Sequence, residues 1–445
     1  MTMVAAVRNG MRTIRVGVTA LLALVMLSAC LGDEDSKEQG FAPLDLAESL
    51  PTAPVASPTS AAESDAGGRG GVSGVLPPTS AKTLSPAQLV QMRPNEIGVI
   101  PVLMYHAFVS GPTDDEWTRT IDSLRGDLQW LHDNDFHVIS VRDLIDNTIS
   151  APPGKHPVVL TFDDASARQF QFEQDASGKL VPTADSAVGV MEAFFAEHPD
   201  FGHTAFFALL PYNCFSLPDS PFNTIEYCEE KLTWLAENGY EIGNHTWGHQ
   251  NLAQANAEEV AFQIGATMDF IDERVSGPAN MSRVLVLPFG EKPNPEVDWW
   301  AWSAVYEGVP WHGKVVQLDA VMNVTGGPMA SPGGTSWKPS AITRINTQPS
   351  YLDSWLADFA SGAITLYTSD GNPQTVVVPN DLPADLASEF DPDALAAQGK
   401  TALTYDPASG EVVVAVAAHD APARAASPLG DAGAAHHRNR HPLAA

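Results

Sequence analysis

A parallel α/β sheet, closed or nearly closed as a barrel, is the fold this 445-residue sequence predicts, and three observations carry that expectation. From Ile97 to about Gly308, short apolar runs of strand character alternate with longer amphipathic runs, as strands alternate with helices around a parallel sheet. Chemically active residues follow four of the strand runs directly: His106, the pair Asp163-Asp164, His245 and Phe289. Side chains at the C-terminal ends of barrel strands face one common mouth. Apolar residues are 44% of the chain, enough for a sizeable core.

The elements follow in order. Arg8, Arg12 and Arg15, an apolar run from Val16 to Leu27 and then small residues read as a secretion signal over 1–29, too short for a membrane span. Leu27-Ser28-Ala29-Cys30 resembles the lipobox of bacterial lipoproteins. That resemblance implies cleavage before Cys30, a lipid on its sulfur, and anchoring at the cell membrane or outer membrane, facing outside the cytoplasm. Residues 30–95, rich in Pro, Ala, Ser, Gly and acids, read as a disordered tether, with a short helix near Pro86 to Met92 at its end.

The main domain, 96–362, opens with a strand over Val99 to Tyr105. A helix over Trp117 to Asn134 places Ile121, Leu124, Leu128 and Leu131 on one face. Strands follow at Phe136 to Val141, Pro157 to Phe162, Thr204 to Leu210, Tyr240 to Gly243 and Arg283 to Leu287. Helices at Ser186 to His198, Glu229 to Asn238 and Glu258 to Val275 separate them.

Beyond Gly308 the alternation fades. Met322 to Ile345, with Trp337 and Arg344, reads as a substrate loop, and Tyr351 to Phe359 as a helix. In 363–420 a turn signal at Ser369-Asp370-Gly371-Asn372 predicts one hairpin, and Pro407-Ala408-Ser409-Gly410 a second. This β-rich extension is either an appendage or further strands of the main domain. Residues 421–445 read as a disordered tail.

A net charge of −30 excludes nucleic acid as a partner, since phosphate binding needs clustered Lys and Arg. Such a surface suits a cationic polymer, high salt, or simply a soluble exported protein. With Cys30 lipidated, Cys214 and Cys228 remain, and an exported chain can pair them.

Asp163 and Asp164 end an apolar strand, and His245-Thr246-Trp247-Gly248-His249 spaces two histidines four apart, which on a helical turn share one face. One Asp and two His make a three-ligand set with open coordination positions, leaving the other Asp to act as a base on water.

Thr161-Phe162-Asp163-Asp164, His245-x-x-x-His249 and Leu287-Pro288-Phe289-Gly290 resemble the polysaccharide deacetylase family, the NodB-homology or carbohydrate esterase family 4 domain, over roughly Ile97 to Phe359. The resemblance implies a deformed (β/α) barrel of NodB type. It assigns Asp164, His245 and His249 to a divalent metal, usually Zn, Asp163 as general base, and the Phe289 backbone N–H as oxyanion donor. It further implies a hydrolase that removes acetyl from an N-acetylated polysaccharide of the envelope or exterior.

Two departures stand out. The late-strand His that many members use as acid has no convincing copy after residue 300. Leu103-Met104-Tyr105-His106 instead resembles the opening strand of exported poly-N-acetylglucosamine deacetylases with permuted motif order, which makes His106 the acid; His312 is a weaker competitor. The Arg that usually orients the base is replaced by Val286, and Arg283 projects to the opposite strand face. Trp299, Trp300 and Trp302 stack on sugar rings, line an acetyl pocket or pack in the core. An O-acetyl esterase of the same fold and an inactive carbohydrate-binding lipoprotein are the alternative functions.

Overall fold

The computed structural model describes residues 83–414. The signal segment 1–29, the lipidation position Cys30, most of the 30–95 tether and the 421–445 tail lie outside the described residues. Among the described residues no helix is long and apolar enough to cross a membrane.

Eight strands form the main sheet: β1 (Val102–Tyr105), β2 (Phe136–Val138), β3 (His156–Phe162), β4 (Phe206–Leu209), β5 (Glu241–Asn244), β6 (Asn280–Val286), β7 (Ala320–Gly326) and β8 (Ile342–Asn346). Seven of them close a parallel ring in the order β1-β8-β7-β6-β5-β4-β3, with β3 returning to β1. β2 pairs with the first half of β3. The deformed (β/α) barrel expected from the sequence is therefore the architecture found.

Alternation along each strand divides the core. Val158, Leu160 and Phe162 face outward with Leu103 and Tyr105, against α1 (Ile121–Asp133), α2 (Ala187–Glu197), α3 (Cys228–Glu237) and α6 (Pro349–Ser361). Val102, Val159, Val284, Val286, Met322 and Ile342 fill the interior. α4 (Ala257–Asp272) and α5 (Trp299–Tyr306) cover the outer face of β6 through Leu285 and Leu287. The helix starts follow the sequence: Thr120 and Asn256 accept from the N–H groups of Ser123 and Glu259, capping α1 and α4.

The stretch Met322 to Ile345 is not a loop of its own. It contains most of β7 and β8, the two strands that complete the ring. The connection between them carries only a short 3-10 turn at Pro339–Ala341, so strand no longer alternates with helix there. β8, Ile342-Thr343-Arg344-Ile345-Asn346, has only two apolar residues and buries Arg344 between them, which hides its strand character.

The C-terminal extension is a separate sheet of β9 (Thr375–Pro379), β10 (Thr401–Tyr405) and β11 (Val412–Val414). β10 and β11 form the antiparallel hairpin expected around Pro407-Ala408-Ser409-Gly410. The first expected hairpin is absent, because β9 runs parallel to β10. Its turn residues are held elsewhere: Ser369 Oγ donates to the Ala151 carbonyl (2.8 Å), and buried Glu96 accepts from the N–H groups of Asp370 (3.1 Å) and Val377 (2.8 Å). Leu89, on the helix Pro86–Met92, packs with Val377, Leu403 and Tyr405. Cys214 and Cys228 are disulfide-bonded with Cα atoms 5.6 Å apart, tying the loop after β4 to the start of α3.

Gly243 on β5 leaves room for the Phe206 ring, into which a Cβ would run. Gly243→Ala must displace that ring beside His245 and is expected to destabilise the fold by about 1–3 kcal/mol, read from urea denaturation. An unchanged unfolding midpoint would show that the barrel yields more freely than its packing indicates.

Candidate metal centre and active-site cleft

Strand register builds the site. Tyr105 is opposite Phe162, so His106 and Asp163 leave adjacent strands side by side. Leu209 is opposite Asn244, and the His245 N–H donates to the Leu209 carbonyl (3.1 Å). Buried Gln169 binds the two strand ends together by donating to the carbonyls of His106 (2.8 Å) and Asp163 (2.5 Å). His106, Asp163 and His245 line a cleft of about 390 Å³ with Trp117, Asp164, His249, Leu287, Phe289 and Val324.

Asp164, His245 and His249 present one ligand atom each, all within 4.8 Å of one another. His245 Nδ1 is 2.9 Å from the Val286 carbonyl, an acceptor only, so the proton sits on Nδ1. Nε2 is buried, 3.2 Å from Asp164 Oδ1, yet without hydrogen-bond geometry to any partner. A buried lone pair beside a carboxylate and a second imidazole fits a divalent cation. His249 Nε2 lies 3.4 Å from the same carboxylate oxygen.

The two histidines meet by a different route from the helical turn their spacing predicts. Residues 245–249 form a loop in which Thr246 (φ 67°) and His249 (φ 52°) are left-handed. Asn244 accepts from the Thr246 N–H (2.9 Å), and Gln263 of α4 accepts from the Gly248 N–H (2.8 Å), so the loop is clamped by side chains. Asp164 (φ 74°) and Phe289 (φ 59°) are also left-handed, and non-glycine residues held there cost of order 1–3 kcal/mol each. The surrounding barrel over-determines them. Phe289 packs edge-on to His249, ring centres 4.6 Å apart.

Arg344 supplies what Val286 lacks. From β8 its guanidinium reaches past β1 and forks onto Asp163, Nη1 to Oδ1 at 2.7 Å and Nη2 to Oδ2 at 2.8 Å. Nη1 also donates to Thr161 (3.1 Å) and Nε to the Asn323 carbonyl (2.7 Å), and the whole side chain is buried. Burial pushes the Asp163 carboxyl up, but the Arg344 charge and paired hydrogen bonds outweigh it and hold the group well below the usual carboxylate range.

His106 Nε2 stands 3.7 Å from Asp163 Oδ2, with Trp117 edge-on at 4.9 Å between ring centres. Burial lowers its pKa, while Asp163 and Asp164 pull the other way. His312, the competitor, is exposed and bound to Asp269 (2.7 Å), away from the cleft lining. Trp299, Trp300 and Trp302 lie on α5 and do not line the cleft either. Arg283 is exposed on β6. Sequence reasoning missed Arg344, Gln169 and Trp117 as site residues. For Arg344 the available signal was parity, since Ile342 and Arg344 share the interior face of one short run.

Removing Arg344 leaves Asp163 buried and unpaired. Arg344→Met is expected to cost about 3–5 kcal/mol near neutral pH, read as a shift of the urea midpoint. The depressed pKa of Asp163 makes its contribution fully present above about pH 4, the unfolded value, and lost as pH falls through the folded value. The deficit of the variant should therefore shrink in acid; equal midpoints at pH 7 would refute the pair's role.

Residues 150–299 match the family model "Polysaccharide deacetylase". That span holds Asp163, Asp164, His245, His249 and Phe289, while His106 and Arg344 lie outside it. Over 130 residues the chain is 28% identical to the peptidoglycan-N-acetylmuramic acid deacetylase of Bacillus subtilis, covering 28% of this chain and 25% of that protein. Among solved structures, a Streptococcus pyogenes deacetylase in complex with acetate is similar at 18% identity, covering 58% of this chain and 99% of the other, with a TM-score of 0.39. A de-N-acetylase from Aggregatibacter actinomycetemcomitans gives 16% identity, 58% and 99% coverage and a TM-score of 0.38. The family that the motifs resemble is thus the family whose model matches residues 150–299.

Proposed function

We propose that this chain is a divalent-metal-dependent hydrolase that removes N-acetyl groups from a polysaccharide, exported and lipid-anchored through Cys30. The observation that carries the reading is the convergence, in one cleft, of a three-ligand metal set, a carboxylate locked by Arg344, and His106 3.7 Å from that carboxylate.

The donor set suits zinc, held by Asp164, His245 and His249. Such an ion, when bound, supplies Lewis acidity to the acetamide carbonyl. The chain's own residues do the rest. Asp163 stays ionised because Arg344 compensates its burial, and its orientation is fixed by two parallel hydrogen bonds, so it is ready to take a proton from the attacking water. The Phe289 N–H, on its left-handed turn at the cleft edge, is the candidate donor to the oxyanion.

His106 rests neutral, since burial lowers its pKa. Negative charge developing on the substrate raises the proton affinity of the imidazole, so the proton that Asp163 takes from water can pass to His106 Nε2, 3.7 Å away, and from there to the leaving nitrogen. A positioned acid favours amide over ester, because an amine leaves poorly unless protonated, whereas an ester makes less demand on it. Leu287 and Val324 give the cleft an apolar wall of a kind suited to a methyl group.

The test is acetate release by the purified, zinc-loaded chain from N-acetylglucosamine oligomers, peptidoglycan and a simple acetyl ester. Asp163→Asn should reduce turnover at least about a thousandfold and His106→Ala about 10²–10⁴-fold. Chelation should abolish activity and zinc restore it. Full activity in Asp163→Asn would overturn the mechanism, and release from the ester alone would reassign the substrate.

A further inference from the structure

On the far side of α4 from β6 lies a second concavity, of about 680 Å³, that the mechanism does not use. Its apolar walls include Phe262, Trp300, Trp311 and Val315, and among the described residues its only charged lining residues are Glu258 and Glu307. Trp300 is 74% exposed, and among the described residues no aromatic ring stacks on it. Trp311 is fixed as a platform: its indole N–H donates to Asp269 (2.9 Å), and Gly265 lets the ring lie against α4 where a Cβ would collide with it.

We propose that this groove holds the amine-bearing, de-N-acetylated stretches of the polysaccharide, outside the catalytic cleft; the proposal rests on the deacetylase reading. Two observations select that occupant. The groove is lined by carboxylates and by no Lys or Arg, and removing an acetyl group converts a neutral acetamide into an ammonium. Aromatic faces attract both the apolar face of a sugar ring and a cation above it. Aromatic rings also run from the groove to the loop that carries His245 and His249. Trp247, between the two histidine ligands, stands 6.4 Å from Phe262, and Phe262 stands 6.4 Å from Trp311. A chain leaving the cleft past Trp247 meets this track. Retaining product next to the cleft favours deacetylation of neighbouring sugars on the same chain.

Titration calorimetry on the full chain carrying Asp163→Asn, which blocks turnover, tests this with glucosamine hexamer and N-acetylglucosamine hexamer as probes. Binding of the glucosamine hexamer should weaken about tenfold or more in Trp300→Ala. It should also weaken, and lose part of its salt dependence, when Glu258→Gln and Glu307→Gln are combined. In the otherwise native chain, Trp300→Ala should leave hydrolysis of a small acetyl substrate unchanged and lower turnover on long polymer. Unaltered glucosamine binding in Trp300→Ala would overturn the proposal. So would equally tight, Trp300-dependent binding of the acetylated hexamer, or a dimer of this chain that Trp300→Ala dissolves. Loss of the groove effect with acetate release intact removes this inference alone. Trp300-dependent glucosamine binding without acetate release supports the groove and removes the deacetylase reading.

Discussion

Two parallel hydrogen bonds between Arg344 and Asp163 are the constraint on which the site depends. A carboxylate this deeply buried would ordinarily take up a proton and lose its value as a base. The guanidinium compensates the charge, and its planar fork sets the carboxyl plane, which a lysine could not do as well. Arg344 in turn needs its own partners, and Thr161 and the Asn323 carbonyl take two of the three donors that the carboxylate leaves over. The pair therefore binds β3, β7 and β8 through one polar network inside a barrel whose other interior residues are largely apolar. Its physical purpose is orientation, since an apolar replacement of both partners would fill the same space at little energetic cost.

Around this pair the mouth of the barrel is strained. Asp164, Thr246, His249 and Phe289 all hold left-handed backbones without the freedom of glycine. Side chains clamp the backbone beside them: Gln169 and Asn213 donate to the carbonyls of Asp163 and Asp164, and Asn244 and Gln263 accept from the N–H groups of Thr246 and Gly248. The loops thus inherit rigidity from the scaffold, and the ligand atoms stay close together despite coming from two separate segments. His245 shows how tightly local choices interlock. The carbonyl of Val286 orients the imidazole, while Asp163 is bound by an arginine on β8.

Much of this was legible in the chain itself. Short apolar runs of strand character leading to Asp163, His245 and Pro288 marked β3, β5 and β6, because strand ends in a parallel barrel must point to one mouth. The same argument, with four active positions at four strand ends, gave the barrel and the convergence of His106 with Asp163 and Asp164. It failed beyond Gly308, where β7 and β8 are joined without a helix and β8 buries a charge. It also failed for Ser369–Asn372, whose turn chemistry is real but is satisfied by Glu96 and Ala151 rather than by a hairpin.

Residue type and spacing are local properties, so the sequence by itself determined the barrel class, the candidate ligands and base, and the absence of an arginine at Val286. Which group compensates Asp163 is a question of neighbours across the sheet. Ring closure alone brings β8 beside β1, and only then does Arg344, 181 residues from Asp163, become its partner. The tertiary structure likewise separated His106 from His312 and placed the α5 tryptophans outside the cleft, because burial and contact are set by packing between elements distant in the chain.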